Sequence, residues 1–196
     1  MLGFSHSRAH LALAVILFVL SPAIVQGGGP RAVAGTTYFN TSVMGQPLYW
    51  SGGKINYYVD QGALSATVSN QQAVAMVDAA AALWSAVPTA GITLTDKGSL
   101  AEDISGSNTI PGSNNTFAAP ADLTPSSTGF PVGVVFDADG SVLDTLFGTY
   151  SSDPASCESN AVTVWTDNIN TDATITHAIM ILNGRCTNTS ARMHTT

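Results

Sequence analysis

Apolar and polar residues alternate through KINYYVD, residues 54–60, where Ile55, Tyr57 and Val59 stand against Asn56 and Tyr58. This is the two-residue period of a half-buried strand, and Ser51-Gly52-Gly53 supplies the turn before it. The period then changes. Ser69 stands three residues ahead of Gln72, an S-x-x-Q capping box opening NQQAVAMVDAAAALWSAV. Ala73, Val77, Ala80, Ala81, Trp84 and Val87 recur at helical spacing on one face, and Pro88 ends the run because proline cannot continue the hydrogen-bond ladder. Alanine along that face lets the helix lie close on a sheet. GITLT at 91–95, PVGVVFD at 131–137, AVTVWT at 161–166 and a largely apolar run at 175–183 read as further strands, with a helical turn in SVLDTLFG.

Residues 97–131 interrupt this pattern. They are rich in Ser, Asn, Gly, Pro and Thr and read as a long polar surface loop, since connections of that length are uncommon inside compact domains. A helix between the first two strands favours a right-handed parallel crossover. The expected fold class is therefore α/β (α+β), a mixed, largely parallel twisted sheet of about five strands with one long alanine-rich helix packed on it. The other face offers only weak helical signals, and the apolar surface at the C-terminal end of the sheet looks under-covered.

The first 34 residues add a destination. Arg8, the apolar stretch 11–20 and the small residues beyond Ser21-Pro22 have the order of a secretory signal peptide, with cleavage after Gly27 or after Ala34. The apolar stretch is about half of the roughly 20 residues a permanent span requires. A secreted or periplasmic protein is expected, with no permanent membrane span once the signal is removed. Residues 35–47 read as a flexible N-terminal segment and 187–196 as a polar tail. Processing after Ala34 leaves 162 residues, about one domain, with four Lys and Arg against thirteen acids, a formal charge of −9. Such a surface repels phosphate backbones and carries no basic stripe, so nucleic acid is not expected as a partner.

The candidate chemistry is sparse. Cys157 and Cys186 are the two cysteines, and in an oxidising compartment such a pair closes as a structural staple rather than acting as a redox C-x-x-C. DADG at 137–140 raises calcium binding at Asp137 and Asp139, with Asp144 nearby. However, an EF-hand loop begun at Asp137 would hold Val142 and Gly148 where it needs glycine and glutamate, and a tight turn is the simpler reading. Ser51-Gly52-Gly53-Lys54 matches S-x-x-K but runs into a strand and lacks its companion motifs. After export only His177 and His194 remain; His177 alternates with Ile175 and Ile179 as a structural histidine would, and no pair sits four apart to grip zinc. No catalytic, cofactor-binding or metal-ligating residue is assigned. Asn40, Asn114 and Asn188 each begin an N-x-S/T triplet compatible with exposed loops.

The stretch from Tyr49 to Gly98, with an aromatic-led strand (Trp50, Ile55, Tyr57), a long helix ending at Trp84 and a short second strand, resembles the opening of metzincin metalloproteases, especially bacterial matrixin-like proteins. PVGVVFDADGSVLDTLFG and NAVTVWTDNINTDATITHAIMILNG extend the resemblance over most of 48–186. By that likeness, strand 161–166 is an edge strand that pairs with an extended polypeptide, and strand 175–183 precedes the active-site helix. The family's H-E-x-x-H-x-x-G-x-x-H helix and methionine turn are absent, and Met193 and His194 do not reproduce the spacing. No catalytic residue transfers, and the resemblance implies a truncated or degenerate, catalytically inactive metzincin-like subdomain. The alternative is a noncatalytic extracellular module that binds a polypeptide or glycan.

Overall fold

The computed structural model describes residues 32–188. Among them lie eight strands and three helices: β1 (Tyr49–Trp50), β2 (Lys54–Val59), α1 (Asn70–Ser85), β3 (Thr93–Ser99), β4 (Ile110–Pro111), β5 (Phe117–Ala119), β6 (Val132–Asp137), α2 (Ser141–Phe147), α3 (Cys157–Asn160), β7 (Val162–Ile169) and β8 (Thr174–Asn183). Six strands form one sheet, β4 and β5 a small hairpin apart from it. Running across the sheet, β3 pairs β2, β2 pairs β6 and β6 pairs β8, all parallel, while β7 closes the far side antiparallel to β8. The short β1 pairs with the start of β8. The sheet is thus mixed and mostly parallel, as expected, with six strands rather than about five. No helix among the described residues is long and apolar enough to cross a membrane.

The two-residue period divides the sheet's side chains into two cores. Tyr57, Val59, Val134 and Phe136 point to one face and meet Ala73 and Ala81 of α1. Helix α1 starts where its sequence dictates: Ser69 Oγ accepts from Gln72 N and Gln72 Oε1 accepts from Ser69 N, closing the capping box. The stripe expected on α1 is only partly buried, however. Ala73 and Ala81 are covered, whereas Trp84 is 63% exposed and Val87 40%. Among the described residues, no second helix lies beside α1 to cover them.

On the opposite face Val135, Ile179 and Ile181 pack against Val142, Leu143 and Leu146 of α2, together with Leu100, Ile104, Phe117 and Leu123. The last four come from the stretch read as a polar surface loop. It folds instead as a lobe, because four scattered apolar side chains bury together and Gly133 leaves room for them. A Cβ on Gly133 would stand 2.3 Å from Leu123 Cδ2. Phe117 also stacks on Trp165 of β7 at 6.5 Å, and the Ala119–Pro120 bond within the lobe is cis.

Asp60, fully buried at the end of β2, ties lobe and sheet together. Its carboxylate accepts from the backbone N–H of Gln61, Gly62, Ile104 and Phe136. The segment 35–47 is held at its ends and middle: Val33 bridges Pro47, and Asn40 N donates to Thr171 O. Cys157 and Cys186 are joined in a disulfide.

Candidate polypeptide-binding edge

Among the described residues, each end of the sheet has a free edge, and the two are built differently. Strand β3 carries Asp96-Lys97-Gly98 just before its end at Ser99, with Gly98 at φ 109° and a register irregularity opposite it. Leu94 N is already satisfied by Ser85 Oγ at 2.9 Å. A charge, a bulge and a capped N–H are devices that keep another strand from adding to an edge.

Strand β7 carries none of these over its first five residues, VTVWT. In an antiparallel ladder alternate residues turn both main-chain groups to the same neighbour. Ala161 O accepts from Asn183 N at 2.9 Å, which fixes the phase. Thr163 and Trp165 therefore face β8, while Val162, Val164 and Thr166 turn N–H and C=O to the open edge. The valine side chains share that openness, at 45% and 58% exposure. They lie opposite Leu182 and Met180 of β8 and continue an apolar floor. The floor becomes a groove of about 330 Å3, lined by Met76, Ala80 and Trp84 of α1 and by Val162 and Cys186.

Below the edge the strand is locked in register. Asp167 is an extra residue in β7, set between the pairs Thr166–Ala178 and Asn168–His177. This turns its carboxylate onto His177: Nδ1 and Oδ1 are 2.6 Å apart and both side chains are fully buried. Asn168 Nδ2 donates to Pro125 O of the lobe, and Tyr38 OH donates to Ile169 O.

No family model, curated protein or solved structure compared with this chain matches it. The site must be read from its own residues.

Asp137 and Asp139 belong to no group of three or more possible metal ligands among the described residues. Asp137 is buried and spends its two oxygens on Val142 N and Leu143 N at the start of α2, while Asp139 Oδ1 accepts from Ser141 N. Burial pushes the Asp137 carboxyl up, and the Ser141 hydroxyl holds that of Asp139 down. Gly140, at φ 80°, completes the tight turn. The zinc carried by the family that the sequence resembles finds no fit either. His177 is enclosed and engaged with Asp167, and no group of three or more His, Cys, Asp or Glu among the described residues is placed to hold a metal. Ser51–Gly53 forms a single 3-10 turn that leads straight into β2, not a helix presenting a nucleophile. Met193 and His194, like His6, His10 and the expected cleavage position at Gly27, lie outside the described residues. Ala34 is itself fully buried. Asn40 and Asn114 are exposed.

Sequence reasoning picked out 161–166 as an edge strand but missed what sets its register, the Asp167 bulge. It also missed the groove beside it. The exposed side of α1 carried the signal: Met76, Ala80 and Trp84 recur every fourth residue, a second apolar ridge beside the buried one.

Proposed function

We propose that this chain is an exported, metzincin-like binding subdomain that holds an extended polypeptide along β7 and does not cleave it. The observation that carries the reading is the outward main chain of Val162, Val164 and Thr166 on an edge without guard residues. Adding a strand to such an edge supplies hydrogen bonds from the backbone, with side-chain pockets providing selectivity. The family resemblance supports the same use, since it gives this strand the substrate-pairing position. The absence of hydrolysis is argued from the sequence, which has no H-E-x-x-H pair and no assignable nucleophile with its base.

The test is titration of the purified exported chain with unstructured peptides, followed by calorimetry, with peptide integrity checked by mass spectrometry. Binding should be saturable, and Val164→Pro should weaken it by about tenfold or more by removing one outward N–H. Proline is tolerated where the N–H faces solvent, so the fold persists. Equal binding by the variant, or cut peptide in the wild-type reaction that a zinc chelator suppresses, would overturn the reading.

A further inference from the structure

The edge also specifies what kind of strand it accepts, an inference that rests on the polypeptide-binding reading above. An incoming strand opposite Val162, Val164 and Thr166 turns its own paired residues toward β7. The side chains of those residues then fall on the same face as the two valines. That face continues through Val162–Leu182 and Val164–Met180 to the groove walled by Trp84, so apolar side chains placed there extend an existing apolar floor. The intervening side chains of the strand fall on the other face, beyond Thr163 and Trp165, where Trp165 already packs against Phe117 and Phe147.

Charge adds a second constraint. The described residues hold Lys54, Lys97 and Arg185 as their only lysines and arginines. The two lysines sit on β2 and β3, across the sheet from β7, and Arg185 Nη1 donates to Ser152 Oγ. Along the chain, β7 is flanked instead by exposed acids, Glu158 before the strand and Asp172 after it, with no lysine or arginine from 158 to 172.

We infer that the partner strand carries aliphatic or aromatic side chains at every second position, on the Val162–Val164 face, with lysine or arginine flanking that alternating stretch. The occupant is an extended segment of another exported polypeptide.

Three synthetic nine-residue probes test this on the exported chain. One alternates valine and threonine between terminal lysines; the second has the same composition with the valines contiguous; the third is the first with glutamates for lysines. The alternating probe should bind about tenfold more tightly than the permuted one, from the apolar cross-strand pairs it makes. It should bind about fivefold more tightly than the acidic one at low salt, with that second gap closing in concentrated salt. The double variant Val162→Thr/Val164→Thr, which keeps the backbone and the β-branch, should narrow the first gap. If all three probes bind equally, and Val164→Pro still weakens them, the pattern is wrong while the edge reading stands. If no probe binds, or Val164→Pro changes nothing, the edge reading fails with it.

Discussion

His177 and Asp167 meet across the β7–β8 ladder with Nδ1 and Oδ1 2.6 Å apart, both side chains wholly enclosed, because a one-residue bulge in β7 turns Asp167 inward. The bulge ends the regular ladder just beyond Thr166, so the pair fixes which residues of β7 face out. A one-residue slip would reverse the facing of every side chain in the strand.

Removing one partner of this pair is therefore expected to be severe. His177→Ala leaves a carboxylate buried without its partner and should lower the unfolding free energy by about 3–5 kcal/mol. Asp167→Asn keeps an acceptor for the imidazole N–H and should lose only about 1 kcal/mol. Urea unfolding of the two variants checks the ordering; equal small losses would contradict it.

Asp60 should give the protein an unusual pH dependence. Burial raises its carboxyl to about 6, against the backbone N–H groups of Ile104, Phe136 and Gly62, which pull it down. The folded state thus binds the proton more tightly than the unfolded chain. The stabilisation from that proton is complete below the unfolded value of 3.8 and disappears as pH rises through about 6. Wild type should lose stability relative to Asp60→Asn between pH 4 and 7, by an amount on the order of 3 kcal/mol. Urea midpoints for both proteins across that range measure the difference; a constant difference would count against it.

The lobe from 97 to 131 should resist proteolysis as a folded part would. Leu123, fully buried against Gly133, anchors it, and Leu123→Ala should destabilise by about 2–5 kcal/mol. Limited digestion should leave the wild-type lobe uncut and open it in the variant. Rapid cutting of the wild-type lobe would show that it behaves as a loop.

The disulfide closes a loop of 29 residues between α3 and the 3-10 turn Gly184–Asn188 that follows β8. Cys157→Ser/Cys186→Ser should lower the unfolding free energy by about 3–4 kcal/mol in the chain-entropy model, read from urea midpoints with and without reductant. The variant should be insensitive to reductant and the wild type sensitive.

What was legible in the sequence was local or periodic. Ser69 and Gln72 are three residues apart and cap α1 as their spacing indicates; the alternation in 54–59 and 162–166 yields strands; and the cysteines pair. What depends on distant partners was not. Leu100, Ile104, Phe117 and Leu123 are scattered among polar residues with no period, and only their meeting over β6 and β8 makes a core of them. Asp137 looks like a cation ligand until the start of α2 is seen to take both its oxygens. The exposure of Trp84 depends on what lies beside α1, which the helix's own pattern does not encode. At the site itself, the alternation of 161–166 marked a strand and the family resemblance alone suggested an edge, while the outward phase of Val162, Val164 and Thr166 required the Ala161–Asn183 hydrogen bond.

That phase is the central claim, and backbone hydrogen exchange of the purified chain, resolved by residue, tests it most directly. Without a partner, the amides of Val162, Val164 and Thr166 should exchange rapidly while those of Thr163 and Trp165 are protected, and saturation with the alternating lysine-flanked probe should slow exchange at the first three. Prior protection of those three amides, or no slowing when the probe is bound, would contradict the account.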